Sequence, residues 1–255
     1  AGKTTMLNAI AGLVRPDAGV IEMDGVSWFS RGRGSPRIDL ATRRRRVGYV
    51  MQDYALFPHM SVLENVAYPL GRRRDRWERA MALLDRVSVA HLAGHPPGAL
   101  SGGQQQRVAI ARALAADAGL LLLDEPFAAL DGPIRERLQA DLRTLQRELD
   151  LVMVLVTHRL EDAFALGDRI AVLRDGRIEQ IGPIEDVFRR PATKGVAEVM
   201  GIRNLLRATV VGSDEAPALD WAGLRLDAPL DRRFAPGDEV TAYIRPEDVK
   251  IVYPD

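Results

Sequence analysis

The stretch LSGGQQQRVAIARALAADAGLLLLDEPFAALD, Leu100 to Asp131, decides the fold. Ser101-Gly102-Gly103-Gln104 is a small-residue turn at the mouth of a helix over about residues 102–116, to which Val108, Ala111, Leu114 and Ala115 give an apolar side. Leu120 to Leu123 is an all-aliphatic run, the pattern of a short parallel strand covered on both faces. Asp124 and Glu125 stand where that strand ends, and open α/β sheets place their ligand crevice at the carboxyl ends of the strands.

The two carboxylates suit different tasks. Asp124, at the tip of a buried strand, can hold Mg²⁺, a hard cation that prefers oxygen ligands and keeps part of its water shell. Glu125, one residue further out, can polarise a water. The plainer alternative is an acidic turn capping the next helix. A matching phosphate loop at the start of the chain weighs against it. Ala1-Gly2-Lys3-Thr4-Thr5 looks like the end of G-x-x-x-x-G-K-[ST], with the first glycine falling before residue 1, so an N-terminal truncation is expected. Gly2 lets the backbone approach an oxygen closely. Lys3 supplies a charge for phosphates, and Thr4 offers a hydroxyl to Mg²⁺. A helix over about residues 3–13 aims its amide end, with Thr5, at the same anion. Taken alone, five residues of this kind are more often a surface turn.

Together these segments resemble the ATP-binding subunits of ABC transporters, and the resemblance covers nearly the whole chain. It implies ATP and Mg²⁺ as cofactors. It also implies an α/β P-loop NTPase cassette, with a parallel-rich sheet lacking its first strand and a helical subdomain over about residues 53–116. In that family Ser101 and Gly103, flanked by Gly102 and Gln104, contact the γ-phosphate of ATP held by the opposite subunit. A hydroxyl and free N–H groups at a helix N-terminus fit an anion. A glycine-rich helix start without a ligand is the other reading.

Three further residues take their roles from the same resemblance. Gln52 follows a strand at Val47 to Met51 and can orient a water or complete the Mg²⁺ shell; by position alone it is an ordinary loop residue. The family places there the hinge to the helical subdomain. Asp131, in Phe127 to Asp131, matches the segment that meets the other subunit, and it also suits an N-cap with Pro133 in the first turn. His158 follows an aliphatic strand at Val152 to Val156 and matches the histidine that senses the γ-phosphate. By itself it reads as structural.

Composition sets bounds on the rest. Lys plus Arg, 35, equals Asp plus Glu, 35, so net charge selects no partner. The absence of cysteine removes disulfides and thiolate metal sites. No apolar run approaches the ~18 residues of a membrane span. Residues 26–46 read as irregular and basic, with Arg43 to Arg46 as a solvated run rather than a nucleic-acid patch, which needs interleaved aromatics. Leu56-Phe57-Pro58 reads as partly exposed and, in the family, faces the membrane partner. Ser61 and Glu64 form a capping-box pattern. Arg76 to Val87 is a helix, and the arginines at 72–74 and 76 are a solvated face. His91 and His95 lack the partners of a metal site. Ile134, Leu138, Leu142, Leu145 and Leu149 form one buried stripe. Glu161 and Asp162 read as dipole partners of the following helix.

Near Gly201 the pattern changes to short strands at residues 205–211, 218–221, 224–226, 239–244 and 249–252, separated by Gly and Pro turns. This suggests a small, incomplete OB-type barrel. It is similar to the TOBE domain of importer ATPases, most of all at Ile244-Arg245-Pro246-Glu247-Asp248. The expected domains are therefore a cassette over 1–200 and a β domain over 201–255.

The resemblance implies an ATPase that energises an importer from the cytoplasmic face of the cell membrane. It would work as a homodimer bound to integral-membrane permease subunits, fed by an extracytoplasmic solute-binding protein, with no nucleic acid. Trp28-Phe29-Ser30, Asp39-Leu40 and Arg43 to Gly48 are most similar to molybdate-type subunits; sulfate, ferric iron, polyamines and sugars are the alternatives. A soluble ABC ATPase acting on nucleic acid or ribosomes is the rival class. With the phosphate loop cut, the chain alone is expected to bind ATP poorly.

Overall fold

The aliphatic run lies in the middle of a parallel sheet. The computed structural model describes residues 2–32, 34, 36–128, 130–202, 204–213, 216–227 and 234–243. The described chain divides into two compact units, Ala1–Asp168 and Arg169–Asp255.

In the first unit, helix α1 (Lys3–Ala11) leads to an antiparallel sheet of β1 (Gly19–Met23), β2 (Val26–Arg31) and β3 (Ile38–Asp39). Residues 26–31 and 38–39, within the segment expected to be irregular, are therefore strands of one sheet. Trp28, Phe29 and Ser30 are buried in β2. Arg45, expected in the solvated run, is buried too. Its guanidinium donates to the carbonyls of Ala9, Ile10 and Leu40 and lies 3.7 Å from Asp39. Two of those carbonyls belong to the last turn of α1, which leaves its final C=O groups without helical partners. A side chain at Gly12, which ends α1 at φ 82°, would sit 2.8 Å from that guanidinium, so the close approach needs glycine.

The parallel sheet has the order β4 (Val47–Val50), β5 (Leu120–Asp124), β6 (Val152–Val156). Its register pairs Val50 with Leu123 and Asp124 with Val156. The central strand β5 is covered on both faces, which explains its unbroken leucines. Leu121 and Leu123 join Val50, Ile110, Phe127, Leu138 and Leu142 in one core. Leu120 and Leu122 join Leu7, Trp28 and Val156 in another. β6 is equally aliphatic but less covered: Val152 is 49% exposed. Gly48 in β4 lets the next helix approach, since a Cβ there would lie 2.7 Å from the Ala113 carbonyl oxygen.

Between β4 and β5 lie α2 (Val62–Ala67), α3 (Arg76–Arg86) and α4 (Gly102–Leu114), which pack on one another. The Ser61–Glu64 capping box is formed in both directions. Arg73 and Arg79 are not merely solvated, since both pair with Asp117. Helix α5 (Gly132–Leu149) buries Leu138, Leu142 and Leu145, whereas Ile134, expected in the same stripe, is 46% exposed. A short helix α6 (Leu160–Leu166) follows β6.

The second unit starts with the hairpin β7 (Arg169–Arg174) and β8 (Arg177–Pro183). Its turn residues Asp175 and Gly176 both have positive φ, 47° and 76°, the geometry that matches strand twist. Helices α7 (Ile184–Arg189) and α8 (Lys194–Val199) come next. Four antiparallel strands follow: β9 (Leu205–Ser213), β10 (Ala216–Trp221), β11 (Leu224–Asp227) and β12 (Glu239–Tyr243), in the order β11-β10-β9-β12. Ala208, Val210 and Leu219 are its buried centre. The boundary expected near Gly201 falls inside this unit. The segment Ile244 to Asp248 and the strand at 249–252 lie outside the described residues.

Candidate functional site

Three side chains converge beyond the carboxyl ends of the parallel strands. Lys3 sits in the first turn of α1, after Gly2 in the left-handed conformation at φ 84°. Its ammonium donates to the Thr157 carbonyl at 3.1 Å and lies 3.9 Å from Glu125 Oε1. The other carboxylate oxygen of Glu125, Oε2, is 2.5 Å from His158 Nδ1. An ionised carboxylate only accepts, so Nδ1 is the donor and Nε2 is left facing outward on a ring 61% exposed. Glu125 is held by its backbone: it adopts φ 48°, and its N–H donates to the Val156 carbonyl at 2.9 Å, across from β5 to β6.

Asp124 lies one residue back, at the end of β5, and is only 4% exposed. Its Oδ1 is buried and has no hydrogen-bond partner among the described residues. Buried polar atoms are normally satisfied, so this oxygen is positioned to take an external ligand. Burial, and then the charge of Asp124, push the Tyr49 hydroxyl above its ordinary pKa. Thr4 and Thr5 are exposed in the first turn of α1. Gln52 is exposed two residues past Val50, as Glu125 is two residues past its register partner Leu123, so both stand at the same end of the sheet. Among the described residues no three His, Cys, Asp or Glu side chains cluster to hold a metal. One buried carboxylate oxygen plus hydroxyls suits a Mg²⁺ ion that takes its remaining ligands from phosphate and water.

A second group forms around the start of α4. Ser101 Oγ accepts from the Gln104 N–H at 3.4 Å, and Gln104 Oε1 accepts from the Ser101 N–H at 2.9 Å. Ser101 and Gly102 are exposed, and Gly103 is buried. A Cβ at Gly103 would meet Ile134 Cγ2 at 3.1 Å and Leu130 Cδ2 at 3.6 Å, so the turn lies against the start of α5. Asp131 occupies the N-cap position of α5 with Pro133 in the first turn, as one of its two sequence readings has it, and its side chain makes no capping hydrogen bond. Among the described residues no hydrogen bond or ion pair joins this second group to the Lys3, Glu125 and His158 group.

Supporting residues escaped the sequence reading. Asp162, expected as a dipole partner, stands in the first turn of α6 and is also buried. It accepts from Gln139 Nε2 at 2.8 Å and Thr157 Oγ1 at 2.9 Å, and Thr157 Oγ1 in turn accepts from the Arg159 N–H. This network fixes the turn that carries His158 and the carbonyl that Lys3 grips. Asn65 is fully buried and bonds both the N–H and the C=O of Phe57, so Leu56-Phe57 is half-covered rather than open. A helical Asp and a helical Asn have no sequence signal that separates such roles from solvated ones.

A lysine at a helix start, a buried aspartate with a free Oδ1 and a glutamate–histidine pair thus gather at one end of a parallel sheet, an arrangement suited to a nucleotide phosphate. Residues 1–128 match the family model described as ABC transporter, and the chain belongs to that family. It is 43% identical over 256 residues to the spermidine/putrescine import ATP-binding protein PotA of Nitratidesulfovibrio vulgaris, covering 98% of this chain and 67% of that one. It is 45% identical over 251 residues to the sulfate/thiosulfate import ATP-binding protein CysA 2 of Chromobacterium violaceum, covering 97% and 65%. A molybdate/tungstate import ATP-binding protein, WtpC of Thermococcus kodakarensis, is 40% identical over 253 residues, covering 98% and 72%. The chain thus spans about two thirds of the length of these curated relatives. Among solved structures it is similar to the dimeric ATP-binding cassette MJ0796 in a post-hydrolysis state bound to ADP and Pi. That match has a TM-score of 0.62 and 36% identity, covering 72% of this chain and 81% of that one.

Proposed function

We propose that the chain is the ATP-hydrolysing subunit of an ABC importer. The observation that carries this is the convergence of Lys3, Glu125 and His158 beside the unpartnered Asp124 oxygen. Lys3 binds the β- and γ-phosphates, and Thr4 and Thr5 lie under the same anion. Glu125 orients the attacking water and takes its proton, while His158 holds Glu125 in place and offers Nε2 to the γ-phosphate. Asp124, Thr4 and Gln52 would hold Mg²⁺, which would supply charge neutralisation for the phosphates. Catalysis is then positioning and charge stabilisation.

The site is completed by a second copy. Ser101, Gly102, Gly103, Gln104 and Asp131 form their own group, and their exposed turn reaches the nucleotide of the partner subunit, as two cassettes close face to face. The solved relative named above is likewise a dimer. The remaining partners are integral-membrane permease subunits and, through them, an extracytoplasmic solute-binding protein. Among the described residues no helix is long and apolar enough to cross a membrane, which fits a peripheral subunit on the cytoplasmic face.

The cargo is a small solute of the kind named for the relatives: polyamine, sulfate or molybdate. Within that set the sequence likeness at Trp28 to Ser30, Asp39-Leu40 and Arg43 to Gly48 leans to molybdate, one of the solutes named for the relatives. The four-stranded antiparallel sheet of the second unit fits a TOBE-like accessory domain. The test is ATP turnover by the subunit alone, with its permease in proteoliposomes, and with ribosomes or nucleic acid. Stimulation by the permease and loaded solute receptor supports the reading; stimulation by ribosomes or nucleic acid instead overturns it.

A further inference from the structure

The loop after Gln52 holds an unusual backbone. Tyr54 and Ala55 are consecutive non-glycine residues at φ 61° and 45°, a conformation that costs free energy and persists only when its surroundings impose it. The imposing group is Arg112, near the end of α4. Its Nη2 donates to the Tyr54 carbonyl at 2.8 Å and its Nη1 to the Ala55 carbonyl at 2.7 Å. The same guanidinium lies 5.3 Å from the centre of the Phe57 ring. Burial lowers its pKa from the ordinary arginine value, yet arginine keeps its charge, so both bonds are charge-assisted. Asn65 clamps the far side of the loop through Phe57.

The loop also touches the other end of α4. The Tyr54 hydroxyl lies 3.9 Å from where a Cβ on Gly102 would be. Arginine and tyrosine therefore span α4 from its last turn to its first. We infer that Arg112 is a positioning residue: by locking Tyr54 and Ala55 in the left-handed conformation it seats the Tyr54 hydroxyl beside Gly102. It thereby ties the loop that follows Gln52 to the Ser101–Gly103 turn of the same subunit. A shift of the loop moves the turn that serves the partner's nucleotide, with α4 as the rigid strut between them.

This rests on the nucleotide roles proposed for Gln52 and Ser101–Gly103, but its first readout needs no hydrolysis. A tyrosine side chain whose hydroxyl reaches Gly102 contributes to the amide environment of Gly102 and Gly103. In ¹⁵N-labelled protein, Arg112→Ala should move those two resonances as well as those of residues 53–57, and Tyr54→Ala should move the glycine pair in the same way. Arg112→Lys, which keeps the charge but loses the two-pronged fork, should give an intermediate shift and also covers the case in which the alanine variant does not fold. In the full subunit bound to its permease, Arg112→Ala should lower kcat about tenfold with KM for ATP nearly unchanged, since misplacement of a positioned group acts on turnover rather than on ground-state binding. Unmoved Gly102 and Gly103 resonances alongside a disturbed loop would overturn the coupling. So would moved resonances with unchanged kcat.

Discussion

His158 Nδ1 and Glu125 Oε2 lie 2.5 Å apart, although the two residues stand 33 positions apart in the chain. Parallel pairing of β5 with β6 brings them together: Asp124 is opposite Val156, so the residues just beyond each strand meet at one end of the sheet. With Lys3 on the other carboxylate oxygen, Glu125 is fixed from two sides.

Glu125→Gln keeps the size of the side chain and the bond to His158 but removes the base. ATP binding should persist, and turnover should fall by about 10²–10⁴-fold, the range for loss of a general base. Equilibrium nucleotide binding and phosphate release, measured on the same preparation, check this. Near-normal phosphate release would remove Glu125 from its role.

Ser101→Arg places a long charged side chain on the exposed turn without touching the Lys3 group. Nucleotide binding to the single subunit should be retained and ATP-dependent dimerisation lost. Sedimentation of the variant in the Glu125→Gln background, where ATP is not consumed, reads this directly. Dimers that still form with ATP would show that the turn does not serve a neighbour.

Asp162→Ala leaves Gln139 Nε2 and Thr157 Oγ1 without their shared acceptor in the interior. Stranded buried donors cost about 1–3 kcal/mol, so the urea midpoint of the first unit should fall accordingly. Because Thr157 also carries the carbonyl that Lys3 grips, nucleotide affinity should weaken as well. A full loss of stability with unaltered affinity would confine Asp162 to packing.

Glu64 is held below its usual pKa, first by the Ser61 backbone N–H and then by the Ser61 hydroxyl. A depressed folded pKa contributes stability above the unfolded value, about 4.3, and loses it as pH falls through the lower folded value. The difference in thermal midpoint between the wild type and Glu64→Gln should therefore be present at neutral pH. It should fade as pH falls through the depressed folded value, on the acid side of the ordinary carboxylate range. A pH-independent difference would point to the helix cap rather than the charge.

Much of the cassette was legible from short segments, because each is a local device. A glycine before Lys3 gives an αL turn at a helix start. A run of four leucines flanked by an acidic pair suits a strand covered on both sides. Ser61-x-x-Glu64 carries the capping box within four residues. Single polar residues were not legible in this way. Arg45 read as one more solvated arginine, yet it plugs the end of α1; Asp162 read as a dipole partner, and it is also buried; Ile134 read as core, yet it is exposed beside Gly103.

By itself, the order of residues determined the lysine at the head of α1, the acidic pair at the end of an aliphatic strand and the glycine turn at the head of α4. Each depends only on neighbours within a few positions. Tertiary structure alone decided that Glu125 meets His158, that Asp124 is left with an unsatisfied oxygen, and that Arg112 reaches back to the loop after Gln52. Those relationships depend on strand register and helix packing, which bring together groups from far along the chain. No local pattern carries that information.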